Sequence, residues 1–549
     1  METGSDALQR YLADFTYELV AETGNPNDRY HLGKIILKQF KEDPDFLLQI
    51  DGATDERDTF GSMLVKSVRC AEAFRRLGIK KGDIIVLMAP NCLDLTAPLY
   101  AAFYLGISVA CIDMHLLKDE IVQIFNDTRP KFVFCLASKA AIVSEVVHSL
   151  DIDTQITTFG KDEKFNTFPE FLDEYSKNDK IDEFRVEDFD PKETIAVLIS
   201  TSGTTGLPKV AALTHSNCII GLSYIWPMIR EFPNPEMFAI ILSPVQWLSA
   251  HVHYIFSPIL KYRRVQSSQT ETREHVYDLI NKYKPTTMVC SPTFMIKLLA
   301  PGEREKCNFS SFKWVFLGGS AVAQEVVEEL RKVHPKTSIY RGYGLTECTG
   351  LCFDIMATAY RDTCGTPLKH LQYRLVDIDT QEDITKPNVQ GELWIKGPPV
   401  FKGYWKRPKE TEAALTKDGW LRSGDLFYRD EHWYFYFVDR YKLLLKYRNH
   451  QISPTEIETV IRRHPEVLDV AVTSLPDLEC GDLPVACVTR VEGSTVSAQE
   501  IKDIVKNNLT DTKRLRGGVI FLKELPTTRT GKVDRNKLKS IVQESKEIL

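Results

Sequence analysis

Residues 194–209 read TIAVLISTSGTTGLPK, an apolar run that leads directly into a loop of hydroxyl residues, glycines and one lysine. The first part has the continuous apolar character of a strand that is buried on both faces. In the second part, glycines allow backbone N–H groups to approach an anion, hydroxyl groups add donors, and Lys209 adds a positive charge. From these residues alone two interpretations stay open, a polar surface turn and a loop that binds phosphate.

The phosphate interpretation does not rest on a common nucleotide motif. A Walker A motif needs a glycine directly before its lysine, whereas Leu207 and Pro208 precede Lys209 here. The sequence also contains no G-x-G-x-x-G. A phosphate loop at this position therefore has to be of another kind.

Similar runs on both sides of this stretch predict the fold class. Between residues 80 and 300 short apolar runs alternate with amphipathic stretches, and the apolar runs include DIIVLMAP, KFVFCL, TIAVLIS and TTMVCSP, with KWVFLGG following beyond them. Strands that are apolar throughout and alternate with helices form parallel sheets covered by helices on both faces. The sequence therefore predicts an α/β fold with a large N-terminal domain of parallel-rich sheets flanked by helices.

The pattern changes at about residue 370. The runs YRLVDID, GELWIKG and HWYFYFVDR are strand-like and are separated by turns, which predicts a small antiparallel or β-barrel-like subdomain at about 365–438. After it, SPTEIE opens a helix with Ser453 as N-cap, Pro454 at the first helical position and Glu456 at the third. The last hundred residues mix helices and strands, so we expect a small α+β domain at the C-terminus.

One uncharged segment, LTAPLYAAFYLGISVACI at 95–112, reaches the lower length limit for a membrane span. Pro98 and Gly106 interrupt it, and Asp94 and Asp113 flank it. A buried helix that ends at Gly106 and is followed by a short core strand explains the segment better than a membrane span.

The composition is that of a soluble globular protein of more than one domain. The chain has 549 residues, of which 43% are hydrophobic and 26% charged, and its net charge of −6 gives no reason to expect nucleic acid as a partner. The twelve cysteines form no CxxC and no zinc-like cluster. The N-terminus lacks the apolar region of a secretory signal, and ESKEIL at the C-terminus lacks a peroxisomal address. We expect a cytoplasmic protein without a transmembrane segment, and association with a membrane surface stays open.

Five segments in order resemble the adenylate-forming superfamily, and within it the luciferase and 4-coumarate-CoA ligase-like acyl-CoA synthetases. The resemblance covers nearly the whole chain. The segments are STSGTTGLPK (200–209), YRGYGLTECTG (340–350), GELWIKGPPVFKGYW with DGWLRSGDLFYRD (391–405 and 418–430), VDRYKLLLKYRNHQISPTEIE (438–458) and LPTTRTGKVDRNKL (525–538).

The resemblance implies an acid:CoA ligase with ATP, Mg²⁺ and coenzyme A. A carboxylate attacks the α-phosphate of ATP to give an acyl-adenylate, and the thiol of coenzyme A then attacks this adenylate. The implied division is an N-terminal ATP- and acyl-binding domain at 1–438, a hinge at 439–442 and a mobile C-terminal domain at 443–549. Rotation about the hinge would use one active site for both steps.

The resemblance also implies four catalytic residues. Lys532 would neutralise the carboxylate and the α-phosphate in the first step, and Lys446 would face the adenylate after the rotation. Thr346 would contact the α-phosphate, and Glu347 would hold Mg²⁺, a cation that takes oxygen ligands. The alternatives are an ordinary surface lysine for Lys532 and a solvated glutamate for Glu347.

Further residues are implied for the binding of nucleotide and acid. Asp425 and Arg440 would hold the ribose, although an interdomain salt bridge is the alternative for this pair. The phosphate loop would contribute Thr201, Ser202, Gly203, Thr204, Thr205, Gly206 and Lys209. The acyl pocket and the nucleotide site would use Gly318, Gly319, Ser320, Ala321, Gly342, Tyr343, Gly344 and Leu345, and Asn449 would lie near the channel for coenzyme A.

Four positions depart from the pattern of many relatives. Val210 replaces a glycine after the loop lysine and favours extended backbone there. Trp247 replaces a histidine in the wall of the acyl pocket, and Asn449 replaces a glycine near the expected channel, where its side chain could narrow the passage. Gly221 stands where luciferin users tend to have arginine, which argues against efficient light emission.

Three functions stay open at this level. The first is an ATP-dependent ligase that joins a fatty or aromatic acid to coenzyme A. The second is a luciferase-like monooxygenase that oxygenates a luciferyl adenylate. The third is a catalytically retired relative that binds lipid or nucleotide. The charged residues expected at the active site argue against it, because all five are present: Lys209, Glu347, Asp425, Arg440 and Lys532. The sequence gives no account of the identity of the acid or of the oligomeric state.

Overall fold

The structure is a computed structural model, and it describes residues 4–24, 30–176, 180–201, 209–229, 231–269, 272–300, 302–448, 450–528 and 532–545. The α-helices of these residues are α1 Gly4–Thr23, α2 Leu32–Glu42, α3 Phe60–Arg76, α4 Thr96–Leu105, α5 Lys118–Thr128, α6 Ala137–Ser149, α7 Phe168–Tyr175, α8 His215–Ser223, α9 Leu248–Leu260, α10 Arg273–Tyr283, α11 Pro292–Leu298, α12 Gln324–Val333, α13 Pro408–Ala414, α14 Pro454–Arg462, α15 Ala498–Asn508 and α16 Arg535–Glu544.

Two sheets, each of seven described strands, form most of the fold. The first has the order β13-β12-β11-β9-β10-β1-β2, with β1 Leu47–Asp51, β2 Arg57–Thr59, β9 Phe238–Ile240, β10 Arg263–Gln266, β11 Thr287–Cys290, β12 Trp314–Gly318 and β13 Ser338–Gly342. The second has the order β18-β8-β7-β4-β3-β5-β6, with β3 Ile84–Met88, β4 Ser108–Cys111, β5 Phe132–Leu136, β6 Gln155–Phe159, β7 Ile195–Thr201, β8 Lys209–Thr214 and β18 Gly403–Tyr404. Pairing is parallel except at β2, β8 and β18, which confirms the predicted parallel-rich α/β fold.

Apolar side chains on both faces of the strands explain the layering. Ile85 and Leu87 of β3 belong to the core that includes all of the apolar residues of α4, whereas Ile84, Val86 and Met88 belong to a core shared with α5 and α6. Successive side chains of a strand point to opposite faces, so a fully apolar strand needs cover on both sides. The periodicity of the sequence therefore predicted this arrangement correctly.

The segment 95–112 has the structure that its length and composition predict. Every residue of α4 is buried, and the helix ends at Gly106, whose φ of 67° is the left-handed conformation that glycine adopts without strain. Strand β4 follows and is also buried. Within the described residues, no helix has both the length and the apolar character needed to cross a membrane.

The sheet that lies between about residues 365 and 440 is antiparallel, as predicted. Its four described strands form an open sheet in the order β16-β17-β19-β20, with β14 Gly344–Leu345 and β15 Gly350–Leu351 forming a separate hairpin before it. The bounds are β16 Gln372–Val376, β17 Gly391–Lys396, β19 Leu421–Arg429 and β20 Phe435–Arg440.

The C-terminal part has its own sheet and cores. Its strands are β21 Leu445–Tyr447, β22 His450–Ile452, β23 Val467–Asp477, β24 Gly481–Arg490 and β25 Gly518–Leu522. Two apolar clusters, made only of residues after 444, pack against this sheet. Ser453 caps α14 by accepting a hydrogen bond from the Glu456 N–H at 3.2 Å, with Pro454 in the first turn, as the sequence predicts.

Burial in the N-terminal core lowers the pKa of the imidazole in three histidines, His215, His251 and His253. The pKa of His251 falls to about 4 and that of His253 to about 3, and the pKa of His215 lies well below its ordinary value of 6.5. Each ring is neutral in the folded protein at pH 6, whereas an unfolded histidine already binds a proton below pH 6.5.

We therefore expect the free energy of unfolding to decrease as the pH is lowered from 6.5 toward 5. The unfolded state takes up the protons in this window, and each of the three histidines contributes roughly 1 kcal/mol per pH unit. Urea midpoints measured between pH 5 and 7.5 test this. Replacing His251 with glutamine should reduce the slope, and replacing the exposed His432 with glutamine should not; a midpoint that is constant over this range would contradict the expectation.

Candidate active site

Strands β7 and β8 are the entry and the exit of the hydroxyl-rich loop. Thr201 pairs with Lys209 across the two strands, and its Oγ1 donates to the Lys209 carbonyl at 3.3 Å. Val210 continues β8 as a buried, extended residue, which agrees with the backbone that valine favours. The remaining predicted loop residues, Ser202, Gly203, Thr204, Thr205 and Gly206, lie outside the described residues.

Thr346 and Glu347 lie in a tight turn, Thr346–Cys348, between the short strands β14 and β15. Helix α8 packs directly against this turn. A Cβ added to Gly221 of α8 would lie 2.3 Å from the Thr349 carbonyl oxygen, a distance at which backbone atoms must move. The absence of a side chain at Gly221 thus allows α8 to pack closely against the backbone that follows the Thr346–Cys348 turn.

The Glu347 side chain contacts a residue that sequence reasoning missed. The Tyr404 hydroxyl donates to Glu347 Oε1 at 2.6 Å, and Lys209 Nζ lies 5.1 Å from the centre of the Tyr404 ring. Burial, followed by the charge of Glu347, raises the pKa of Tyr404 above its usual value, so the phenol stays a donor. The sequence did contain a hint of this contact. Tyr404 belongs to the run GYW at 403–405, which ends the segment that begins with Gly-Glu-Leu, and the resemblance assigned this tyrosine no role.

Asp425 lies almost fully buried on β19. Its Oδ2 accepts a hydrogen bond from the Tyr343 hydroxyl at 2.7 Å, and its Oδ1 lies 3.4 Å from Arg440 Nε. Burial raises the pKa of Asp425, while Arg440 and Tyr343 oppose the shift. Oδ1 accepts no hydrogen bond within the part of the chain that the structure describes. Asp425 and Arg440 are cross-strand neighbours on β19 and β20. The two residues therefore form an ion pair within one sheet and not between two domains.

Lys532 belongs to the same cluster of charges, although it comes from the far end of the chain. Burial and the neighbouring Arg440 lower the pKa of the Lys532 ammonium, whereas Asp425 and Glu347 oppose this shift. Its backbone carbonyl accepts a hydrogen bond from the Thr528 N–H at 2.6 Å. The structure thus brings together Glu347, Asp425, Arg440 and Lys532 from four separate motifs.

The predicted hinge begins at a buried carboxylate. Asp439 Oδ2 accepts hydrogen bonds from the Ser453 hydroxyl at 2.6 Å and the Thr455 N–H at 3.1 Å, so it binds the first turn of α14. Burial raises the pKa of Asp439, and these hydrogen bonds oppose the shift. In this structure the last residues of β20 are therefore joined directly to the C-terminal part.

Lys446 does not join the charge cluster. It is exposed on β21, where it pairs with Gln451, and its N–H donates to Asp482 Oδ2 at 2.9 Å. No contact among the described residues connects its side chain with Asp425, Glu347 or Lys532. Asn449, predicted near the channel for coenzyme A, lies outside the described residues.

The glycines assigned to the acid and nucleotide sites lie at the ends of neighbouring parallel strands. Gly318 ends β12 and pairs with Gly342 at the end of β13, and a Cβ on Gly318 would lie 2.9 Å from the Gly342 carbonyl oxygen. Gly319, Ser320 and Ala321 follow as exposed residues. Ligands of open α/β sheets bind at this carboxyl edge.

Trp247, the other departure in this region, precedes α9. It is half-buried, and its indole Nε1 has no hydrogen-bond partner in the described part of the chain.

The residues of the cluster fit ATP and a divalent cation. The buried Oδ1 of Asp425 is paired with Arg440 but accepts no hydrogen bond from the described residues, and a ribose hydroxyl would supply one. Only one Glu347 oxygen accepts a hydrogen bond from described residues, which leaves the other for a hard cation. Mg²⁺ usually takes one or two carboxylates beside the phosphates of a nucleotide.

Two family models match the chain. The one described as AMP-binding enzyme matches residues 37–405, and the one described as AMP-binding enzyme C-terminal domain matches residues 456–532. Together they include Glu347 and Lys532, although the segments between 405 and 456 lie outside both.

Individual proteins agree with these matches. The chain is 31% identical over 507 residues to a luciferin 4-monooxygenase of Photuris pensylvanica, covering 90% of this chain and 92% of that protein. It is 30% identical over 507 residues to a probable CoA ligase of Humulus lupulus, covering 89% of both chains. Among solved structures, ATP-bound MatB from Rhodopseudomonas palustris superposes with a TM-score of 0.83 at 21% identity, covering 94% of this chain and 99% of that one.

Proposed function

This chain belongs to the AMP-binding enzyme family, and on that premise we propose that it activates a carboxylic acid with ATP and transfers the acyl group to coenzyme A. In the first step a carboxylate oxygen bonds to the α-phosphorus and pyrophosphate leaves. In the second step the thiolate sulfur bonds to the acyl carbon and AMP leaves. Both reactants of the first step are anions, so positive charge placed at the reacting phosphate lowers the barrier.

The observation that carries this proposal is the position of Lys532. Its ammonium lies within the electrostatic reach of Asp425 and Glu347, the residues that fit the ribose and the cation. A lysine whose charge interacts with both a ribose site and a cation site is suitably placed to act on the phosphates of a bound nucleotide. Mg²⁺ would neutralise phosphate charge there when it is bound, and Glu347 would hold it.

We further propose that the two steps use two orientations of the C-terminal domain, 443–549, about a hinge at 439–442. The contrast between Lys532, which is partly buried in the charge cluster, and the exposed Lys446 supports this proposal. The acid is proposed to be fatty or aromatic, and the site of action to be the cytoplasm.

A panel of acids tests the proposed function. The protein is incubated with ATP, Mg²⁺ and each fatty or aromatic acid, with and without coenzyme A, and the products are identified by mass spectrometry. We expect an acyl-adenylate without coenzyme A and an acyl-CoA thioester with it. Binding of ATP without adenylate formation for any acid would favour a retired, nucleotide-binding relative instead.

A luciferase-like reaction is the second candidate, favoured by the identity of about 31% to a luciferin 4-monooxygenase. The packing of Gly221 against Thr349 argues against a luciferase-like reaction. Luciferin users tend to have an arginine at the position of Gly221, and a side chain there would clash with the Thr349 backbone. Addition of luciferin, ATP and Mg²⁺ in air distinguishes the two. Strong light would support this candidate, and darkness together with thioester formation would reject it.

A further inference from the structure

Tyr404 is held rigidly beside the strand that leaves the phosphate loop. It lies in β18, which pairs with β8 through Gly403–Ala212 and Tyr404–Ala211. The flanking Trp405 N–H donates to the Val210 carbonyl at 2.8 Å. The pairing of β18 with β8 thus fixes the position of the Tyr404 backbone relative to Lys209, the first residue of β8.

The same segment also holds Glu347 at two points. The Phe401 N–H donates to the Glu347 backbone carbonyl at 2.9 Å, and the Tyr404 hydroxyl donates to its carboxylate at 2.6 Å. Further along the hairpin, the Thr349 hydroxyl donates to the Pro399 carbonyl at 2.7 Å. The turn that carries Glu347 is therefore attached to residues 399–404 by both backbone and side chain.

The chemistry of the phenol suits a carboxylate that binds a cation. A lysine or arginine partner would neutralise Glu347, whereas a neutral O–H fixes one oxygen and leaves the negative charge for a metal ion. At the same time, the ring face attracts the Lys209 ammonium, at 5.1 Å from its centre. One side chain thus contacts both the phosphate-loop lysine and the carboxylate.

We propose that Tyr404 is a positioning residue that orients the Glu347 carboxylate for the cation on ATP and holds Lys209 on its ring, so that the two groups face the same phosphates. The proposal rests on the proposed function, because it assumes that ATP and a divalent cation bind at this site. It does not require Tyr404 to touch ATP.

Tyr404→Phe and Tyr404→Leu separate the two contacts. Equilibrium dialysis with labelled ATP at increasing Mg²⁺ measures nucleotide binding without turnover, and the electron paramagnetic resonance of Mn²⁺ measures cation binding. For Tyr404→Phe we expect the Mg²⁺ concentration at half-maximal ATP binding to rise about 10-fold, with ATP binding in the absence of metal unchanged. For Tyr404→Leu we expect the metal-free binding of ATP to weaken as well, about 5-fold, since Lys209 loses the ring.

Tyr436→Phe is the matched control, because it removes a tyrosine–carboxylate hydrogen bond of 3.2 Å to Asp430 on the same sheet as Asp425. It should leave the Mg²⁺ dependence as in the wild type. If the wild type binds ATP with Mg²⁺ and Tyr404→Phe shows the same Mg²⁺ dependence, or loses ATP binding equally with and without metal, the inference is overturned and the proposed function survives. If the wild type binds no ATP at any Mg²⁺ concentration, both fail.

Discussion

Replacement of Lys532 with alanine is expected to reduce the carboxylate-dependent exchange of pyrophosphate into ATP by about 10²- to 10³-fold. The ammonium stands in a cluster with Arg440, Asp425 and Glu347, where partial burial strengthens its interaction with phosphate. Its charge matters most in the transition state, where the carboxylate anion approaches the α-phosphate and negative charge increases on the phosphate oxygens and on the leaving pyrophosphate. The exchange rate at saturating acid and ATP is the measurement.

The binding of ATP should change much less than the exchange rate in this variant, because Asp425, Arg440 and Glu347 remain. Lys539→Ala, which removes an exposed lysine from helix α16 of the same domain, is the control and should retain wild-type exchange. Wild-type exchange in Lys532→Ala would remove this residue from the adenylation step, and it would leave the family assignment untouched.

Local patterns in the sequence predicted most of the fold. Strand β3 and helix α4 could be predicted because uninterrupted apolar runs need cover on all sides and because Gly106 ends a helix. The start of α14 was predictable because Ser453, Pro454 and Glu456 satisfy the first turn within four residues. These inferences need only neighbours in the chain.

Contacts between distant segments could not be predicted in the same way. The hydrogen bond of Tyr404 to Glu347 depends on β18 pairing with β8 across more than 190 residues, and no local pattern encodes this pairing. The contact of Gly221 with Thr349 depends likewise on how α8 packs. The resemblance supplied Glu347, Asp425 and Lys532 as residues, but only the fold shows which oxygens of Asp425 and Glu347 accept no hydrogen bond from the described part of the chain.

Replacement of Lys446 is expected to impair the second step, whereas replacement of Lys532 impairs the first. We expect Lys446→Ala to retain acyl-adenylate formation within about 3-fold and to lose thioester formation by about 10²-fold. In this structure the Lys446 side chain is exposed on the β21–β22 hairpin, so its removal cannot disturb the cluster around Asp425. If the domain rotates, the ammonium would meet the adenylate as coenzyme A attacks, and it would stabilise the negative charge on the acyl oxygen and the departing phosphate.

Isolated half-reactions make this test decisive. With acid and ATP alone, Lys446→Ala should form the adenylate at nearly the wild-type rate, and Lys532→Ala about 10²- to 10³-fold more slowly. With preformed acyl-adenylate and coenzyme A, Lys532→Ala should form the thioester at nearly the wild-type rate, and Lys446→Ala about 10²-fold more slowly. Lys506→Ala, an exposed lysine on α15, should behave as the wild type in both assays. Equal losses of Lys446→Ala in the two half-reactions would contradict a two-orientation mechanism, since a residue that is exposed during adenylation has no reason to affect that step.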